Sequence, residues 1–341
     1  VSIKDFTANV ISASKVVPNG PYQDSTASGV WDITEQFDLK KGDNWPTTGN
    51  FQPLCLLMGG QESTFFNAIE SIIVTTEGNT SDFGDLTSAR ARGGGAASST
   101  RAVIGGGQSD GTASSQLINI DYITMASAGN ALDFGDLLHK QAFNAGLSNS
   151  TRAVFGGGDR NSGGGATDGS NVIQYITIAS TGDATDFGDL TTGTNKPAGS
   201  ASPTRGLFNG GTTSAGVVNT IQYITIGSTG NASDFGDLST TRNGCVAFSS
   251  DTRSLTVRDN TIDFVTIAST GNASDFGDPI AECDVNGGAS TNIRGIHNVG
   301  TDDFSINATT IATTGNSVDW GNIITKRQQD QATGAAHGGL Q

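Results

Sequence analysis

Short runs of alternating apolar and polar residues recur along most of this chain, separated by segments rich in glycine, serine, threonine and asparagine. Ile173-Gln174-Tyr175-Ile176-Thr177-Ile178 is one such run, and Asn219-Thr220-Ile221-Gln222-Tyr223-Ile224-Thr225-Ile226 is another. β-Branched and aromatic residues in a period-two pattern predict strands. The second run passes through a tight turn, Ser228-Thr229-Gly230-Asn231, into an Asp-Phe-Gly-Asp-Leu strand. Gly-Asn suits such a turn, because both residues tolerate positive φ.

The tetrapeptide Asp-Phe-Gly-Asp spans 82–85, 133–136, 186–189, 234–237 and 275–278, and a decayed copy reads Asp319-Trp320-Gly321-Asn322. Its aromatic positions lie 51, 53, 48, 41 and 44 residues apart. A period of about 40 to 50 residues is that of a four-stranded propeller blade. Most copies hold the same parts in order. A small-residue segment such as Gly93-Gly94-Gly95-Ala96-Ala97-Ser98 comes first, then an apolar strand ending in a glycine doublet, as in Arg152-Ala153-Val154-Phe155-Gly156-Gly157. A variable polar loop, the third strand, the turn and the Asp-Phe-Gly-Asp strand follow. Sheets of this kind cannot bury both faces alone, so neighbouring units must stack.

A glycine doublet, an aromatic strand and a second aromatic near the unit end resemble the kelch repeat over residues 51–341. The chain departs from that pattern in using Phe where Trp is common, and the fifth and sixth copies lack the doublet. The resemblance implies an all-β, six-bladed kelch-like β-propeller of four-stranded antiparallel blades. The apolar strand is read as an inner strand, with its glycines placed where blades crowd near the axis. The first blade begins at Leu56-Leu57-Met58-Gly59-Gly60 and lacks a small-residue strand, while residues 328–339 resemble an orphan one. Ring closure is the expectation, with the C-terminal segment completing blade one and removing an open sheet edge. The predicted division is therefore a non-repeat N-terminal arm, residues 1–50, and a propeller, residues 51–341.

Composition narrows the function classes. The 341 residues carry 33 acidic and 18 basic side chains, a formal charge of −15. That balance argues against nucleic acid as a partner. No apolar run approaches the roughly 20 residues of a membrane span, and Val1-Ser2-Ile3-Lys4-Asp5-Phe6 lacks the pattern of a signal peptide. Cys55, Cys245 and Cys283 stand at unrelated spacings, which implies neither a disulfide framework nor a zinc site.

The motifs that invite chemistry have architectural readings. Asp-Phe-Gly resembles the magnesium-holding motif of protein kinases, but the phosphate loop, strand lysine and catalytic loop that this reading needs are absent from the sequence. Its aspartates are expected to cap turns or bond backbone amides. Acidic loops such as 133–136 lack the spaced carboxylates of a calcium loop and read as solvated turns. Arg101, Arg152, Arg205, Arg253 and Arg294 could line a channel and hold an anion; inter-blade ion pairs with the repeated aspartates are the favoured reading. The histidines, His139, His297 and His337, occupy unrelated repeat positions. Galactose oxidase shares a kelch-type ring but needs copper held by tyrosines and histidines. Here Tyr122, Tyr175 and Tyr223 share one repeat position and read as packing. No catalytic set, no metal site and no cofactor are expected. The sequons at Asn79, Asn231 and Asn272 coincide with the Gly-Asn turn and are explained by it.

The arm holds Trp31, Phe37 and Trp45, with Ser28-Gly29-Val30-Trp31-Asp32-Ile33 and Gly42-Asp43-Asn44-Trp45-Pro46 as its two distinct blocks. It resembles N-terminal segments of bacteriophage virion proteins, in which a Gly-x-Trp block precedes Asn-Trp-Pro. The repeat, from Tyr175 to Leu190 and from Tyr223 to Leu238, is also similar to repeats in structural proteins of cyanophages and other marine phages. The resemblance implies a non-enzymatic virion structural protein at the particle surface, in a tail or fibre-like appendage. Trp31, Phe37 and Trp45 would form the interface to other virion proteins, and a host surface glycan is a further expected partner. The alternatives are an arm that plugs the ring, a carbohydrate-active or oxidase enzyme on the same ring, and a free lectin-like module.

Overall fold

The computed structural model describes residues 54–160, 169–283, 287–298, 304–327 and 331–334. These form six four-stranded antiparallel sheets arranged as the blades of a β-propeller. Blade 1 holds β1 (Leu54–Met58), β2 (Ala68–Ile73) and β3 (Ser81–Asp85). Blade 2 holds β4 (Gly94–Ala97), β5 (Arg101–Gly105), β6 (Asn119–Thr124) and β7 (Leu132–Asp136). Blade 3 runs through β8 (Ala145–Ser148), β9 (Arg152–Gly156), β10 (Val172–Thr177) and β11 (Thr185–Asp189). Blade 4 comprises β12 (Ala198–Ala201), β13 (Arg205–Thr213), β14 (Gly216–Thr225) and β15 (Ser233–Asp237). Blade 5 comprises β16 (Val246–Ser249), β17 (Arg253–Arg258), β18 (Thr261–Thr266) and β19 (Ser274–Gly277). Blade 6 comprises β20 (Gly288–Ser290), β21 (Arg294–Asn298), β22 (Ser305–Thr310) and β23 (Val318–Asn322). The last strand, β24 (Gln331–Gly334), pairs antiparallel with β1, Cys55 opposite Gly334 and Met58 opposite Gln331, so the C-terminal segment completes blade 1 as expected.

The core consists of six wedges, and each wedge lies between two blades. Leu56, Met58 and Phe83 of blade 1 meet Ala102, Ile104 and Met125 of blade 2. Val103 and Phe134 of blade 2 meet Phe155 and Ile178 of blade 3. The sixth wedge sets Cys55, Leu57 and Val74 of blade 1 against Ile296 and Trp320 of blade 6. Alternate side chains of a strand point to opposite faces: Val103 serves one wedge, and its neighbours Ala102 and Ile104 serve the one before. This explains why the second strand of a blade reads as an unbroken apolar run while the outer strand buries its aromatic and exposes the residues beside it.

The aromatic reaches the wedge through a bulge. In every blade the ladder between third and outer strands shifts by one residue: Ile173 pairs with Gly188 and Gln174 with Asp186, so Phe187 has no partner. The same shift occurs in the five other blades, with Trp320 as the extra residue in blade 6. A bulge re-aims one side chain at the cost of one ladder position. Burying the ring stabilises by about 2–3 kcal/mol, which offsets that loss.

Two expectations about the apolar strand are corrected. It is the second strand of each blade, and the small-residue strand is the one at the axis, where β4, β8, β12, β16, β20 and β24 are neighbours around the ring. Its glycine doublet answers crowding against the connector to the next blade: a Cβ on Gly106 would lie 2.5 Å from the Gln141 carbonyl oxygen. At the axis, small residues let serines bridge blades. Ser148 Oγ donates to the Ala97 carbonyl at 2.7 Å and accepts from the Ala97 amide at 3.1 Å. Ser249 does the same to Ala201, and Ser290 to Ser249.

Candidate functional site

The repeated polar residues are used between blades. The Asn of each Gly-Asn turn accepts, through Oδ1, the amide of the last residue of Asp-Phe-Gly-Asp in the preceding blade. Asp85 donates to Asn130 at 3.1 Å, Asp189 to Asn231 at 3.0 Å and Asp278 to Asn316 at 3.0 Å. Asp136 donates to Asp183, and Asn322 donates across the closure to Asn79. The two glycines are stacked: a Cβ on Gly188 would sit 2.4 Å from the Gly230 carbonyl oxygen. This corrects two expectations. No Asn of these turns has positive φ, so Asn is there as an acceptor. The aspartates contribute backbone amides, while carboxylates such as those of Asp82, Asp133 and Asp234 face solvent.

The repeated arginines also join blades, though to partners other than aspartates. Arg101 donates from Nη1 to the carbonyls of Ile178 and Ala179 in blade 3 at 3.1 and 3.0 Å. Arg152, Arg205, Arg253 and Arg294 make the equivalent bonds to Ile226, Ile267, Ile311 and Val74. Each guanidinium lies over an aromatic ring of its own blade: Tyr122, Tyr175, Tyr223, Phe264 and Trp320, at 4.0–5.1 Å from the centroid. The three tyrosines in turn pack edge-on against Phe134, Phe187 and Phe235, which accounts for their shared repeat position. In blade 1 the arginine position is Leu54, and it packs in the wedge that also holds Met125.

A second set of joints escaped the sequence reading. Each connector between blades offers one residue to the buried polar position of the next blade's third strand. Arg90 meets Asp121 at 3.0 Å, Arg242 meets Asp263 at 3.1 Å, and Arg327 is bonded to Glu70. Burial lowers the Arg90 pKa, and the adjacent Asp121 carboxylate opposes that shift. Where the strand offers a neutral residue, so does the connector: Gln174 donates to Gln141 at 3.0 Å, and the remaining pairs of positions hold Thr194 with Gln222 and Cys283 with Asn307. The repeat alignment carries a usable signal, because Arg occurs four residues after the Leu or Ile that follows the outer strand only where the next third strand carries Asp or Glu.

At one end of the axis, three unlike side chains occupy equivalent places in three blades. Two residues before β4, β8 and β12 stand Arg92, Phe143 and Lys196, with φ of +66°, +57° and +56°. Positive φ is rare for bulky residues and costs about 1–3 kcal/mol each. Gly244 fills the same position before β16 with φ +61°. The four are linked by backbone bonds, with Phe143 N–H donating to Arg92 O at 2.6 Å, Lys196 to Phe143 at 3.2 Å and Gly244 to Lys196 at 3.1 Å. The Arg92 guanidinium lies 4.9 Å from the Phe143 ring centroid and 5.8 Å from that of Phe65, and the Lys196 ammonium 4.7 Å from that of Phe143. Arg92 also donates to Gln108 Oε1, and its partial burial lowers its pKa. Below this mouth the axis holds a cavity of about 60 Å³ lined by residues such as Ser148, Ser200, Ser249 and Thr333. That is space for a few waters.

Of the residues singled out from sequence, the described histidines and cysteines do not converge. Trp31, Phe37 and Trp45, with the rest of the arm, lie outside the described residues, as does His337. His139 is exposed on a connector, and His297 is buried in β21, stacked 5.9 Å from Phe248. The three cysteines are buried and form no disulfide, and burial raises the thiols of Cys55 and Cys245, the latter to about 12. Among the described residues no three His, Cys, Asp or Glu side chains form a group that could hold a metal ion, and no helix is long and apolar enough to cross a membrane. No protein-family model matches the chain, and no curated protein matches it.

Proposed function

We propose that the protein is a non-enzymatic structural component of a phage particle. Its N-terminal arm joins the particle through Trp31, Phe37 and Trp45, and its propeller presents the variable loops to the host surface or to another virion protein. The observation that carries this reading is the use of every repeated motif in blade-to-blade joints. The repeat is consumed by architecture, which leaves the loops between second and third strands, unequal in length and composition, as the chain-specific surface. The motif resemblances of the arm and of the repeat add the virion context.

Removing residues 1–45 tests the arm. The truncated protein is expected to melt as the full chain does, remain monomeric and be lost from particles. Incorporation at normal occupancy overturns the attachment role, and aggregation or a lower melting temperature identifies the arm as part of the propeller's own fold.

A further inference from the structure

We propose that the wedge between blades 5 and 6 is a seam at which acid opens the ring, parting these two blades while the other wedges stay closed. The device belongs to the ring itself and does not depend on what the ring is attached to.

Five of the six connectors follow one plan. The buried Leu or Ile after the outer strand donates its amide back to its own blade, as Leu137 does to Ile118 and Ile323 to Phe304. The next residue donates its amide to the buried polar side chain of the following blade's third strand: Thr87 to Asp121, Leu138 to Gln174, Thr191 to Gln222, Ser239 to Asp263 and Ile324 to Glu70. Between blades 5 and 6 the plan breaks. Pro279 stands where the others carry Leu or Ile, and proline has no amide to donate. The Ile280 amide turns to Ser317 Oγ at 2.9 Å, and Asn307, at the third-strand position, has no partner for Nδ2 among the described residues.

His297 lies opposite Asn307 in the ladder, and Thr309 is two residues further along the same face. Both ring nitrogens of His297 and Oγ1 of Thr309 also lack a partner among the described residues, and all three side chains are buried. Four other blades hold an apolar residue at the histidine position: Leu57, Ile104, Phe155 and Phe208. A buried polar group without a partner favours any state that lets water reach it, and local opening begins where the closed state is least stabilised.

Protonation adds to this. His297 stacks on Phe248 of blade 5, and the other described side chains of blade 5 in the cluster, such as Leu255, Val257, Ile262 and Phe276, are apolar. Gly288 faces His297 from β20. On the connector Cys283 joins the cluster, while Glu282 is exposed. Arg258 and Asp259, at the end of β17, pair with each other at 3.3 Å, and Asp259 faces solvent. Burial lowers the His297 pKa to about 4, so the closed wedge resists a proton that the open one accepts. The opening constant is expected to rise about 20-fold from pH 7 to pH 5.

Native-state hydrogen exchange of the full chain at pH 7 and pH 5, corrected for the intrinsic exchange rate, reads the seam. The Ser249 amide bonds Ser290 Oγ across it at 3.1 Å, and the Ala97 amide makes the equivalent bond to Ser148 between blades 2 and 3. Ser249 is expected to lose protection by about 20-fold over this range, and Ala97 to lose little. His297→Leu and His297→Phe, which install residues that other blades carry at this place, should each abolish the acid loss at Ser249. Pro279→Leu restores an amide to the connector and should raise the protection of Ser249 at pH 7. Equal losses at Ser249 and Ala97 in the unaltered chain would mean that acid acts on the whole ring, and would overturn the seam; so would no loss at either. An acid loss at Ser249 that survives in whichever histidine variant folds overturns the proposal as well.

Discussion

The wedge between blades 1 and 2 and the wedge between blades 2 and 3 share one plan of aromatic packing and differ at a buried polar position. Both pack a bulge-borne phenylalanine, Phe83 or Phe134, against the next blade's aliphatic residues. In both, the residue after the connector's leucine donates its amide to the same strand position: Thr87 to Asp121 at 2.9 Å, and Leu138 to Gln174 at 2.6 Å. They differ in that the first closes with the Arg90–Asp121 ion pair, both side chains fully buried, and the second with two glutamines. The ring therefore demands matched polarity at this position and accepts charge only in pairs. A buried ion pair stabilises little against a neutral replacement, but losing one partner is expensive, because the other charge is left without solvent.

The largest expected effect comes from opening the ring at the third ionic joint. Deleting residues 328–341 removes β24, exposes the edge of β1 and leaves the Arg327–Glu70 pair at a blade that lacks its axial strand. A substantially lower melting temperature with concentration-dependent association is expected; an unchanged, monomeric melt would show that β24 does not hold the ring.

Breaking one partner comes next. Asp121→Ala should cost about 3–5 kcal/mol in urea unfolding, and Gln174→Ala about 1–3 kcal/mol. Equal losses would remove the distinction between the two wedges.

Acid should charge a neutral wedge. His297, packed on Phe248 between blades 5 and 6, has its pKa lowered to about 4 by burial, from an ordinary value of 6.5. The unfolded chain takes up this proton first as pH falls, so the stability that the neutral ring supplies is present above about pH 6.5 and is lost on the way down to about 4. The full loss is roughly 3 kcal/mol. His297→Leu should flatten the stability curve over that window, and an unchanged slope would assign it to other groups.

At the turn latch, which both wedges possess, Asn130→Ala should cost about 1 kcal/mol, with Asp183→Ala matching it within error. The smallest effect belongs to replacing both ends of the ion pair. Arg90→Gln with Asp121→Gln recreates the glutamine wedge and should leave stability nearly unchanged, although Arg90→Gln alone does not.

Blade number, strand order and closure by the C-terminal segment were legible in the chain because each depends on local signals repeated six times: an alternating run, a turn, and an aromatic beside glycine. What those residues touch was not legible, since hydrogen bonds between blades join positions about 20 to 80 residues apart, and through the closure more than 200. The repeated arginine illustrates the limit. Its recurrence marked it as structural, yet its partners are carbonyls, which every residue possesses and no side-chain pattern can reveal. Asn in the turn had a sound local explanation in positive φ, and the ring used it as an acceptor for a neighbouring blade. The axial mouth is further out of reach. Arg92, Phe143 and Lys196 are three unlike residues at equivalent places, so the repeat marks them as variation, and only the tertiary structure brings their side chains onto one ring and their backbones into one strained conformation. Local periodicity determined how the chain is cut into blades, because secondary structure follows short-range preference. Closure of the ring decided which polar groups meet between blades, because that depends on distances the chain sets only once it has folded.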